Sequence, residues 1–213
     1  MELTWLGHSC FRIRGRDATV ITDPCPKDTG YNIARQTANI VTVSHDHPAH
    51  SNVAAVAGSP RIIDGPGEYE VGGVLIAGVR TYHDAAGGAE RGKNTAYLIE
   101  IDGVRICHLG DIGHVPTQDQ IEELSGADIL LLPVGGHTTI DGAAAARTVS
   151  LLEPRVVVPM HYATPALKGP SLDGLERFLK EMGVKAAPSE PKISVNRGGL
   201  SGETRTVVLD YRG

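Results

Sequence analysis

Through its first half the chain alternates short β-branched runs with turn signals, and it inserts helical stretches only later. Leu3-Thr4-Trp5-Leu6, Cys10 to Arg14 and Thr19 to Thr22 read as successive strands, and Val41 to Ser44 follows. Glu68 to Val71, Gly72-Gly73 and Val74 to Tyr82 spell a hairpin. Tyr97 to Ile101, Asp102-Gly103 and Val104 to Leu109 spell another, with Asp-Gly a strong two-residue turn signal. Ile129 to Val134 and Val156 to Met160 are apolar throughout, the pattern of strands covered on both faces. Helices are expected over Thr117 to Leu124, where Thr117 and Gln120 have capping-box spacing, and over the alanine-rich stretch Ala143 to Leu152. A third is expected over Gly174 to Met182, stopped by Gly183. Thr206 to Tyr211 predicts a closing strand. No fixed-period repeat or low-complexity linker divides the sequence. The expectation is one layered α+β domain over residues 1–213, with sheets covered by helices.

Composition adds bounds. With 41% hydrophobic and 21% charged residues the chain is ordinary for a globular protein, and 4% aromatics leaves the core to Val, Ile, Leu and Ala. A net charge of -5 argues against nucleic acid as an obligate partner. No apolar run approaches the roughly 20 residues of a membrane helix. The opening Met1-Glu2-Leu3-Thr4-Trp5 lacks the basic and apolar regions of a signal peptide. Cys10, Cys25 and Cys107 are odd in number, widely spaced and form no C-x-x-C pair, so reduced thiols in a cytoplasmic protein are expected.

The strongest chemical signal is Ser44-His45-Asp46-His47-Pro48-Ala49-His50. In an extended segment His45 and His47 project from one side and Asp46 from the other, and a turn after Pro48 brings His50 back. Three imidazoles converging at a strand end suit a transition metal. The pattern then repeats. Val74 to Tyr82 runs into His83-Asp84, Val104 to Leu109 into Gly110-Asp111, and Val156 to Met160 into His161-Tyr162. Any one of these is ordinary as a capping aspartate or a core histidine; four strand ends that each carry a metal-ligating side chain are not.

These residues resemble the metallo-β-lactamase superfamily, in particular the branch of the ascorbate-phosphate lactonases and zinc-dependent hydrolases of undetermined substrate. The resemblance runs from Thr4-Trp5-Leu6-Gly7-His8-Ser9-Cys10-Phe11 through Thr22-Asp23-Pro24, the His45 to His50 cluster, His83, His108-Leu109-Gly110-Asp111 and Leu132-Pro133-Val134-Gly135-Gly136. It ends at Val158-Pro159-Met160-His161-Tyr162, about three quarters of the chain. It implies a four-layer αββα sandwich and two adjacent metal positions filled by one or two zinc or manganese ions. His45, His47 and His83 would hold one, His50 and His161 the other, with Asp111 bridging. Asp23 would orient the histidine loop, and His8 and His108 would sit beside the cavity. The family pattern is H-x-H-x-D-H, and Ala49 stands at the aspartate. That departure weakens the second position and removes a proton-transfer group.

The chemistry implied is hydrolysis of a small ester, lactone or phosphoester, by water whose pKa an ion lowers from about 15.7 toward roughly 7. Asp111 would orient the nucleophile, and His108, His137 or a water would pass the proton to the leaving group. His137 also reads as a plain surface-loop histidine. Two other readings compete: a member that binds metal or ligand without turnover, favoured only by Ala49, and a nuclease, disfavoured by the acidic charge. The partner expected is a small-molecule substrate, with no membrane and with homo-oligomerisation compatible with the resemblance.

Overall fold

A computed structural model of the chain describes residues 1–211 except 170, 186 and 201. Six strands form one sheet, in spatial order Ile193–Ser194, Glu2–Gly7, Cys10–Arg14, Thr19–Thr22, Ile40–Thr42 and Arg61–Ile63. Seven form the other: Arg205–Thr206, Val156–Met160, Ile129–Pro133, Val104–His108, Lys93–Ile101, Val74–Tyr82 and Gly67–Val71. In the six-stranded sheet the two-residue alternation of strand side chains is plain. Phe11, Ile13, Val20, Ile40 and Ile63 enter one buried cluster with side chains of the seven-stranded sheet. Cys10, Ile21 and Val41 point the other way, into a second cluster with Cys25, Tyr31 and Ile33.

Three helices, α1 (Gln118–Leu124), α2 (Gly142–Leu152) and α3 (Leu175–Glu181), pack on the seven-stranded side. The predicted capping box is present: Thr117 accepts from the Gln120 N–H, and the Gln120 side chain accepts from the Thr117 N–H. Gln120 also donates to the Arg80 carbonyl at 2.8 Å, which ties α1 to the sheet beneath it. Asp141 caps α2 by accepting from Ala144 N at 2.9 Å. The outer layer over the six-stranded sheet is thin. Among the described residues it contains 3-10 turns at Lys27–Thr29 and Val53–Ala55 and no α-helix. The α+β sandwich expected from the sequence is thus present, with turns and loops in place of one helical layer.

Two sequence expectations change. Thr206 to Tyr211 is not one strand: Arg205–Thr206 pairs with Val156–Val157, whereas Val208–Leu209 pairs with Ser189–Glu190. The chain leaves the sheet edge so that Tyr211 can stack edge-on against Trp5, with ring centroids 5.9 Å apart. The short strands Arg61–Ile63 and Ile193–Ser194 carried no period long enough to read, and they form because a neighbouring strand offers an open edge. No helix among the described residues is long and apolar enough to cross a membrane.

The topology decides where chemistry can occur. Val104–His108, Ile129–Pro133 and Val156–Met160 run parallel, as do Thr19–Thr22, Ile40–Thr42 and Arg61–Ile63. Val74–Tyr82 points the same way as Val104–His108, because both are antiparallel to Lys93–Ile101. The carboxyl ends of these strands meet at one end of the sandwich, which is where α/β folds place their ligands.

Candidate metal centre

Four of the six expected metal-ligating side chains issue from those strand ends, and so does the carboxylate expected to orient the histidine loop. Asp23 follows Thr19–Thr22, His45 follows Ile40–Thr42, His83 follows Val74–Tyr82, Asp111 follows Val104–His108 and His161 follows Val156–Met160. The histidine loop is not the extended segment expected from its H-x-H spacing. The strand stops at Thr42, His47 N donates to His45 O at 3.0 Å, and the N–H groups of His50 and Ser51 both donate to His47 O at 2.8 and 3.0 Å. Pro48 and this turn curl the loop, and His45, His47 and His50 converge all the same, with Asp46 left exposed.

Asp111 is the hub. Its Oδ2 lies 3.2 Å from His50 Nε2, 3.2 Å from His161 Nε2 and 3.5 Å from His83 Nε2. Its Oδ1 accepts from the Ser9 hydroxyl at 3.3 Å, and its N–H donates to Asn94 Oδ1 at 3.0 Å. Three groups of donor atoms lie within 4.8 Å of one another: His45 with His83 and Asp111, His45 with His47 and His50, and His8 with His50 and His161.

The outer ring nitrogens are held so that the inner ones face the centre. His50 Nδ1 pairs with Asp23 Oδ2 at 3.0 Å, His45 Nδ1 with Ser44 Oγ at 2.9 Å, and His83 Nδ1 with the Thr138 carbonyl at 3.0 Å. Asp23 is fully buried and also accepts from Ser44 N at 2.8 Å and Ser44 Oγ at 2.6 Å. Such partners orient imidazoles in metal sites. His45 Nε2, His161 Nδ1 and His8 Nδ1 are buried with no hydrogen-bond partner. A buried polar atom without a partner costs free energy, and a cation at the centre would supply one to the ring nitrogens that face it. The residues present therefore fit a metal.

Burial and the two carboxylates set the protonation of these rings in opposite directions. Burial, the largest influence, holds His45 neutral with its pKa down at about 4, and holds His8 well below the ordinary value. Burial also opposes charge on His50, yet Asp111 and Asp23 outweigh it and lift that ring to about 10. Burial pushes the Asp111 carboxyl up, but His161 and His50 prevail and keep it well below the carboxylate range.

Two residues expected at the cavity stand elsewhere. His108 is fully buried and both its nitrogens are used: Nε2 meets the Ser9 carbonyl at 2.9 Å and Nδ1 accepts from Gly110 N at 3.3 Å. It braces the turn carrying Ser9 and is a structural group rather than the expected proton donor. His137 is exposed in its loop and joins none of the ligand groups, while its neighbour Thr138 reaches the cavity. Arg91 pairs with Glu90 at 3.3 Å on the exposed side of its loop and does not line the cavity.

That cavity, of about 220 Å³, is lined by His8, His47, Ala49 and the metal-facing residues on one side and by Thr29, Leu167, Lys168 and Leu172 on the other. The second wall was not legible in the sequence. Two distant loops build it, joined by Lys168 N donating to Thr29 O at 2.8 Å and by a 2.7 Å contact between Tyr31 Oη and Thr164 Oγ1. Gly30, at φ 97°, permits the approach, since a Cβ there would stand 1.8 Å from the Ala166 carbonyl. Asn94 was also missed. Its amide donates to Thr81 Oγ1 at 2.6 Å and Leu109 O at 2.9 Å, and so fixes the oxygen that receives the Asp111 N–H.

His83 opens a loop that turns on Asp84. This buried carboxylate accepts from the N–H groups of Ala86 and Gly88 at 2.8 Å each, of Glu90 at 3.1 Å and of Arg91 at 2.7 Å. The Arg91 N–H, the largest influence, and the others hold its pKa down at about 2, against the usual 3.8. A depressed carboxyl stabilises the folded loop above its unfolded value and loses that effect as pH falls through the folded one. The amides of residues 86–91 are therefore expected to lose hydrogen-exchange protection between about pH 4 and pH 2. Asp84→Asn should expose them at neutral pH; equal exchange in variant and wild type would show the carboxylate is idle.

Comparison with known proteins agrees with this architecture. Residues 2–161 match the Beta-lactamase superfamily domain. A UPF0173 metal-dependent hydrolase of Thermococcus onnurineus is 32% identical, the alignment covering 87% of this chain and 94% of the relative. A Pyrococcus abyssi protein of the same description is 30% identical over the same shares. A crystal structure from Thermotoga maritima, described as a Zn-dependent hydrolase of the metallo-β-lactamase superfamily, superposes with a TM-score of 0.82 at 37% identity, covering 99% of each chain. Strand-end ligands, a sandwich of two mixed sheets and a match over three quarters of its length place this chain in the beta-lactamase superfamily, to which it belongs.

Proposed function

We propose that the protein hydrolyses a small ester, lactone or phosphoester with water activated by zinc or manganese. The observation that carries this reading is the gathering of His50, His83 and His161 around Asp111 Oδ2, with His45 and His47 beside them and buried ring nitrogens left unpartnered. When bound, such ions lower the pKa of water and polarise a carbonyl or phosphoryl oxygen. Asp111, bonded through Ser9 and Asn94, sits where a carboxylate can orient the attacking water. Lys168 at the opposite wall offers a positive charge to an anionic substrate, and Leu167 and Leu172 offer apolar contact. A cavity of about 220 Å³ suits a small molecule. With His108 and His137 outside the cavity, solvent water is the proton source for the leaving group. Three free, buried thiols fit a reducing compartment such as the cytoplasm. The names of the relatives support a hydrolase, and the lactonase resemblance supports a lactone among the candidates.

The test is elemental analysis of protein purified without chelator, followed by assays on a generic phosphodiester and a panel of lactones. One to two equivalents of zinc or manganese are expected, with turnover lost to chelator and restored by the ion. Tight metal binding with no turnover on any ester, lactone or phosphoester would favour the non-catalytic reading instead.

A further inference from the structure

On this metal-centre reading the second ion lacks the ligand that the family pattern's aspartate would supply from the histidine loop. Ala49 lines the cavity beside His50 with a methyl group and offers no donor. We infer that His8 is a direct ligand of the second ion, together with His50, His161 and the bridging Asp111. Its ring centroid lies 4.3 Å from that of His161 and 4.8 Å from that of His50. One donor atom from each of the three rings lies within 4.8 Å of the others. A tetrahedral ion bound at about 2.0 Å holds its ligands about 3.3 Å apart, so rotamer adjustments of an ångström or so close the set.

Three further observations favour a ligand over a packing histidine. His8 is 7% exposed, lines the cavity, and its Nδ1 is buried with no hydrogen-bond partner. Its backbone sits at φ 54°, in the left-handed region that side chains other than glycine rarely adopt. That conformation is fixed from two sides: the His8 carbonyl accepts from Trp5 Nε1 at 3.0 Å and from His161 N at 3.3 Å. The second contact ties the His8 backbone to that of its proposed fellow ligand.

The full-length chain, freed of metal and titrated with cobalt(II), tests this by visible absorption. Wild type should take up two equivalents. His8→Asn, chosen because asparagine tolerates left-handed backbone, should keep the first equivalent and bind the second at least about tenfold more weakly. Ala49→Asp in the same background should strengthen the second site again. A measurement on unaltered protein stands beside the variants. With isotope-labelled histidine and NMR-active cadmium, six of the nine imidazoles should couple to metal: His8, His45, His47, His50, His83 and His161. Five coupled rings, or a His8→Asn titration indistinguishable from wild type, overturns the assignment of His8 and leaves the hydrolase reading intact. Failure of the wild type to bind any ion overturns both.

Discussion

Asp111→Asn is expected to lower kcat/KM by roughly a thousandfold, because bridging and orientation by its carboxylate act on transition-state charge worth several kcal/mol. Its Oδ2 lies within 3.5 Å of three ring nitrogens, so no other side chain touches as much of the centre. An amide removes the negative charge that the imidazoles face. It also presents an N–H₂ that repels a cation. Metal content should fall along with rate, and the two are separable: saturating metal should restore occupancy before it restores turnover. The check is kcat/KM and metal stoichiometry of the variant at increasing free zinc. Near wild-type turnover at full occupancy would remove Asp111 from the chemistry.

The second large effect is expected at Asp23, which joins none of the ligand groups. Asp23 holds Ser44 N, Ser44 Oγ and His50 Nδ1, and Ser44 Oγ in turn meets His45 Nδ1. One buried carboxylate thus fixes two imidazoles through a single relay. With an ion in place of the Nε2 proton, His50 would keep its remaining proton on Nδ1, facing Asp23 Oδ2. In Asp23→Asn an N–H₂ placed toward that ring favours the opposite tautomer, with the proton on Nε2 where the ion should be. The expected loss is about 10- to 100-fold in metal affinity, typical when such an orienting partner is removed. Competition against a chromophoric chelator measures it. Affinity unchanged from wild type would mean that His50 does not depend on Asp23.

How much of this could be read from sequence follows from how each part is built. Asp23, His45, His83, Asp111 and His161 were legible because each sits just past an apolar run, and parallel strands bring such positions to one end of a sandwich. The capping box of α1 was legible because it is local. His8 was visible as a neighbour of the cavity but not as a ligand, since its direction depends on a left-handed turn and on His161 across the sandwich. His108 misled for a related reason. Its position beside Asp111 in sequence says nothing of strand alternation, which turns it into the core to meet Ser9. Lys168, Leu167 and Leu172 lie in a loop without period, and only tertiary contact with Thr29 and Tyr31 brings that loop to the cavity.

The wall made by those two loops has an evolutionary corollary. The clustered histidines and Asp111 are anchored to strand ends and to buried relays, whereas the opposite wall hangs on Gly30, a backbone contact and one side-chain contact between segments far apart in sequence. Surface loops tolerate insertion and exchange far better than strands do. Substrate choice in this protein can therefore drift by remodelling residues around 27–31 and 164–168 while the reaction itself is inherited unchanged.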